Sequence, residues 1–173
     1  MNPEFSRIWR LDALGIDRQV EIEADAAERA ALATRFALQS LDALSATASF
    51  HPVAAGIEAK GQMKAKAVQS CVITGEPVPA TIDQPFTIRF VAPDATPVSE
   101  ELELDAEDCD VMEHDGQGID LGEAVAQTLG LALDPYPRAP TAEDRIKEIG
   151  ILSEEEAGPF GALAALKDKM TKG

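Results

Sequence analysis

Several stretches of this chain alternate apolar and polar residues with period two. A chain that does so repeatedly has to bury one face of a sheet and wet the other. In Gln19-Val-Glu-Ile-Glu23, Val20 and Ile22 share one face and three polar residues take the other. Ala46, Ala48 and Phe50 alternate with Ser45, Thr47 and Ser49. From Ala59 to Val68, the even positions Lys60, Gln62, Lys64 and Lys66 form a polar stripe against Ala59, Met63, Ala65 and Ala67. Ile82, Phe86, Ile88 and Phe90 extend the pattern, and Glu101-Leu-Glu-Leu-Asp105 is a shorter instance. Gly56, Gly75-Glu-Pro77 and the span from Pro93 to Pro97 separate these runs with turn residues. The pattern predicts an antiparallel sheet or partial β-barrel with one wet face.

Two helices should pack on it. Asp25-Ala-Ala-Glu28 and Asp120-Leu-Gly-Glu123 both place a capping acceptor three residues before a carboxylate, the arrangement of a capping box. The first opens an alanine-rich run to about Leu38. The second opens a helix to about Leu133, with Leu121, Val125, Thr128 and Leu129 near one side and Asp134-Pro135 as its stop. From Pro135 to Pro159 the composition shifts to proline, glycine and charge, which reads as a poorly packed linker. The expectation is therefore an α+β protein with one domain over residues 1–135 and a flexible connector over 136–158. A short amphipathic helix over 159–171 would follow, starting at Pro159 with Phe160, Leu163, Ala164 and Met170 on one side.

At 173 residues such a chain needs no disulfide or metal to fold. No apolar run approaches a membrane span, and no apolar segment follows Met1, so a cytoplasmic protein is expected. The net charge of −16 sets it against phosphate backbones. Between Arg89 and Arg138 there is no lysine or arginine but thirteen carboxylates, from Asp94 to Asp134. Such a block is either a solvated face or a docking surface for a basic protein. Lys60, Lys64 and Lys66 make the one basic stripe that can be drawn.

Catalytic patterns are missing: the sequence holds no glycine-rich phosphate loop, no Gly-x-Ser-x-Gly and no His-Glu-x-x-His. His51 and His114 stand in unrelated contexts. Asp108, Asp110 and Asp115 lack the ligand spacing of a calcium loop. A Cys-x-x-Cys knuckle would be half a zinc site, but in Cys71-Val-Ile-Thr74 the second position is Thr74, no second pair follows, and Cys109 supplies too few further ligands. Cys71 is expected to be a small buried residue at the end of a strand. No cofactor or metal is expected.

Four segments resemble the YceD family, the large ribosomal RNA subunit accumulation proteins. They are Lys64 to Pro77 with Phe86-Thr-Ile-Arg-Phe90, the acidic stretch, Gly118-Ile-Asp-Leu-Gly-Glu123 running into Leu129-Gly-Leu-Ala-Leu133-Asp-Pro135, and the closing Gly158 to Lys167. The likeness spans roughly Gly56 to the C-terminus. It implies a bacterial factor needed for normal synthesis or stability of large-subunit ribosomal RNA, and it implies no catalytic residues. Where many relatives carry a second cysteine, this chain has Thr74. The resulting expectation is a non-enzymatic accessory factor for 23S rRNA accumulation and ribosome biogenesis, binding a basic ribosomal or rRNA-processing protein. Its expected contact residues are Asp120, Leu121, Leu133, Pro135, Phe160 and Leu163. The alternative is direct RNA contact through Lys60, Lys64 and Lys66.

Overall fold

In a computed structural model the described residues are 3–13, 19–53, 56–92, 110–114 and 116–149. Strands β1 (Ile8–Arg10) and β2 (Gln19–Glu23) precede helix α1 (Ala26–Arg35). Three long strands follow, β3 (Ser40–Val53), β4 (Gly56–Ser70) and β5 (Pro77–Val91). Short strands β6 (Asp110–Glu113) and β7 (Gly118–Asp120) lead into α2 (Leu121–Ala132) and α3 (Ala142–Glu148). The main sheet has the order β2-β3-β4-β5-β6, and β1 pairs with β7 in a separate two-stranded sheet. The fold is α+β.

The period-two runs become the sheet. Val20 and Ile22 sit opposite Ala48 and Ala46, and Ala46 sits opposite Met63. Across the next seam Ala59 faces Ile88 and Gly61 faces Phe86. All of these apolar side chains are buried on one face. Helix α2 lies against β1, β4 and β5, and α1 packs on β3. Leu121, Val125 and Leu129 of α2 and Leu32 of α1 complete one continuous core. At Gly61 a β-carbon would lie 2.0 Å from the Thr47 carbonyl oxygen and 2.8 Å from the Phe86 ring. The ring therefore fills the space a side chain would have taken, and the strand pairs stay close.

One detail departs from the expected antiparallel sheet. Strands β2 to β5 are antiparallel, but β6 runs parallel to β5, with Ile88 opposite Asp110 and Val91 opposite Glu113. A parallel neighbour needs a crossover of a dozen residues or more, and residues 92–109 supply that length. Among the described residues the sheet is open, with β2 and β6 at its edges. Beyond the reach of four-residue β6, the outer edge of β5 carries Pro77, Pro79 and Pro85, which present no N–H to an incoming strand.

Within the expected connector the structure contains α3. Its start packs on the turn between β4 and β5, where Ala139 and Ala142 bury Cys71 beside Ile73 and Val78. The Val72 N–H donates to the Pro137 carbonyl at 2.9 Å, and Thr141 Oγ1 donates to Glu76. Small, scattered contacts of this kind have no periodicity, so composition alone read this span as linker. The expected strand at 101–105 and the helix at 159–171 lie outside the described residues.

Candidate functional site

The residues singled out by sequence divide into three places. Asp120 and Leu121 begin α2. Asp120 caps that helix, accepting from Gly122 N–H at 3.1 Å and Glu123 N–H at 3.2 Å. Its carboxylate also accepts from Ser6 Oγ and, at 2.7 Å, from the Arg7 N–H. Leu121 is 0% exposed. The fold itself therefore takes up both residues, one as a staple between the N-terminal segment and α2, the other as core. Gly122 allows that closeness, because a β-carbon there would lie 2.7 Å from the Phe5 carbonyl oxygen.

Leu133 and Pro135 lie at the opposite end of α2. Leu133 is half-buried and Pro135 exposed. Together with Phe36, Leu38, Val72 and Pro137 they line a groove of about 320 Å³ between the ends of the two helices and the β4–β5 turn. Phe160 and Leu163 lie outside the described residues.

Lys60, Lys64 and Lys66 occupy the third place, the wet face of β4, where all three are exposed. Around them stand hydroxyls from both neighbouring strands: Ser45 opposite Lys64, Ser49 and Thr87 opposite Lys60, and Thr81 opposite Lys66. Lys60 Nζ lies 2.8 Å from Glu58, a carboxylate only 8% exposed and also 3.9 Å from Arg89. Lys64 Nζ lies 3.9 Å from Asp83. A shallow depression of about 380 Å³, lined by Gln19, Thr47, Ser49, Lys60 and Gln62, opens beside the stripe. The sheet's aromatic rings, Phe50, Phe86 and Phe90, are buried in the core instead. This face offers charge and hydroxyls, without the stacking platform that single-stranded nucleic acid sites use.

Cys71 is buried just past the end of β4, as expected. The Ala139 backbone amide and the Thr74 side chain, outweighing burial, bring its thiol down to about 7. The Thr74 N–H lies 3.4 Å from the sulfur. Among the described residues no group of three His, Cys, Asp or Glu side chains could hold a metal ion. His51 shares a hydrogen bond with Ser49 Oγ at 3.0 Å, and His114 Nδ1 accepts from Gly116 N–H. No described helix is long and apolar enough to cross a membrane.

Sequence reasoning passed over the arginines. Arg7 holds Glu28 with both terminal guanidinium nitrogens, at 2.6 and 2.9 Å, and Arg35 holds Glu123 at 2.9 and 2.8 Å while reaching Glu4. These hydrogen bonds keep both glutamates below the ordinary carboxylate range. No local spacing could have announced pairs separated by 21 and 88 positions.

A family model described as large ribosomal RNA subunit accumulation protein YceD matches residues 59–167, well over half of the 173. The chain belongs to this family. No curated protein and no solved structure matches it. Membership in the YceD family ties the chain to the accumulation of large-subunit ribosomal RNA. The matched segment begins inside β4, so it takes in the lysine stripe, the β4–β5 turn, α2 and α3. The boundary does not divide the fold, because β3 and β4 pair from Ser40↔Val68 to Val53↔Gly56.

Proposed function

We propose that this YceD-family protein is a cytoplasmic, non-enzymatic accessory factor for 23S rRNA accumulation. It acts by binding a basic ribosomal or rRNA-processing protein through its acidic surface. The observation that carries this reading is the charge distribution: a net charge of −16, with no lysine or arginine from Phe90 to Pro137. Such a surface presents carboxylates to a basic protein in place of RNA phosphates and steers the encounter at separations up to about a Debye length. Asp110 and Glu113, exposed on β6, are the described part of that span beside the sheet.

Direct RNA contact through Lys60, Lys64 and Lys66 is the second reading, favoured by their common exposed face. The nearby carboxylates of Glu58 and Asp83 count against it, since an RNA phosphate at Lys60 or Lys64 would compete with an ion pair already made. Affinity capture from a bacterial lysate, with and without ribonuclease, separates the two readings. Ribosomal or assembly proteins that stay bound after ribonuclease support the protein-docking reading. Material that disappears with ribonuclease, together with loss of binding on Lys60→Glu, Lys64→Glu and Lys66→Glu, supports the RNA reading instead.

A further inference from the structure

We infer that the outer edge of β2 takes an extended segment of a basic protein, which adds to the sheet as a further strand. Hydrogen-bond parity shows what this edge offers. The Ala24 N–H donates to the Leu44 carbonyl at 3.0 Å, continuing the register that sets Val20 opposite Ala48 and Ile22 opposite Ala46. In an antiparallel pair, successive residues turn their backbone groups alternately to the two sides. Val20 and Ile22 therefore bond to β3, while Gln19, Glu21 and Glu23 turn their N–H and C=O groups outward. The Glu23 carbonyl fits that direction, because it accepts from Arg7 Nη2 at 3.0 Å. Among the described residues the other outward groups of β2 have no partner.

The opposite side of the sheet is built to refuse a strand. There the Cys71 N–H donates to the Glu76 carbonyl at 2.8 Å, so the even residues of β5 bond to β4 and the odd ones face outward. Pro77, Pro79 and Pro85 all stand at odd positions, and each removes an outward N–H. No proline interrupts Gln19-Val-Glu-Ile-Glu23. One margin is blocked and the other is left able to pair.

Charge decides what can occupy the open edge. Glu21 and Glu23 are exposed on the wet face, and Asp25 and Glu28 follow at the start of α1. Arg7 and Arg29 are the cations held against this corner, so four carboxylates face two guanidiniums. The lysines of β4 lie two strands away, where Glu58 and Asp83 stand beside Lys60 and Lys64. An incoming strand with lysine or arginine at alternate positions sets its cations across from Glu21 and Glu23. A second copy would set glutamate against glutamate, between two chains of net charge −16. The inference rests on the proposed basic protein partner and gives that partner a backbone contact besides the acidic surface.

The test adds a capped octapeptide of alternating lysine and threonine to the full chain and follows fluorescence anisotropy and amide hydrogen exchange. At saturating peptide, exchange of the Glu21 and Glu23 amides should slow by about 10-fold. Glu21→Gln removes the charge alone, whereas Glu21→Pro also removes an outward N–H without breaking a bond to β3. Glutamine should weaken the peptide about 3-fold, and proline about 10-fold more than that. Equal losses from the two variants overturn the proposal, and so does a peptide that fails to bind or leaves the β2 amides exchanging freely. Protection of β2 that appears without peptide and grows with protein concentration also overturns it, because the occupant is then a second copy. Unchanged exchange in β3 and β4 shows that Glu21→Pro is folded, and the wild-type exchange result stands without that variant. Capture from a bacterial lysate keeps the two claims apart. Basic proteins retained in full by Glu21→Pro leave the partner reading intact and overturn this one. A lysate that yields no basic protein sinks the partner reading, and the peptide still judges the edge.

Discussion

The two helices begin with the same sequence device and use it differently. At α1, Asp25 and Glu28 form a reciprocal capping box: the Glu28 N–H donates to Asp25 Oδ1 at 2.9 Å, and the Asp25 N–H donates to Glu28 Oε2 at 2.8 Å. At α2, Asp120 caps Gly122 and Glu123, but the Glu123 carboxylate turns away to Arg35. The Asp120 carboxylate also accepts from Ser6 and Arg7, more than a hundred residues earlier. One cap is local, while the other is a tertiary joint. A side chain at a helix start can meet its neighbours' amides with what lies within three residues. It becomes a joint only when the fold delivers a second set of donors.

The largest expected effect tests that difference directly. Asp120→Ala removes the acceptor of four donors, two of them from a distant segment, and should cost roughly 3 kcal/mol. Asp25→Ala should cost about 1 kcal/mol, the usual loss of a helix cap. Urea unfolding of the two variants checks this, and equal losses would erase the distinction.

Acid titration sharpens it. Arg7 and Arg35 hold Glu28 and Glu123 below their ordinary value of 4.5. A carboxylate whose folded pKa is depressed stabilises the protein above its unfolded pKa and loses that contribution as pH falls through the folded value. Stability should therefore fall below about pH 4.5. The Glu28→Gln and Glu123→Gln double variant should start about 1 kcal/mol lower at pH 7 and show a flatter acid slope. A slope unchanged from wild type would mean the arginine pairs contribute nothing.

The smallest effect concerns the other ends of the same helices. Helix α1 is followed by Ala37 at φ +52°, with Leu38 N–H returning to the Ala33 carbonyl at 2.8 Å, whereas Leu133 ends α2 in an extended conformation. A left-handed position favours glycine over alanine. Ala37→Gly should raise stability by about 0.5–1 kcal/mol, while Leu133→Gly should lower it. Thermal unfolding distinguishes the two directions.

Much of this architecture was legible before any coordinates. The period-two runs around Val20, Ala48, Met63 and Ile88 all became strands, because burial of one sheet face depends only on residue order. Both Asp-x-x-Glu starts were real helix caps for the same local reason. Asp120 and Leu121 could be located from sequence, yet their role as joint and core could not. That role depends on Ser6 and Arg7 arriving from the N-terminal segment.

Residue order alone was enough for the sheet's two faces, the starts of α1 and α2, the burial of Cys71, the lysine stripe on the wet side and the YceD-family resemblance. Long-range packing alone made β6 parallel, closed Ala139 and Ala142 over Cys71, joined Arg7 to the start of α1 and joined the end of α1 to the start of α2 through Arg35 and Glu123. The physical reason is range. Periodicity and capping are written within a few consecutive residues, whereas ion pairs and parallel strands join residues whose nearness exists only once the chain has folded.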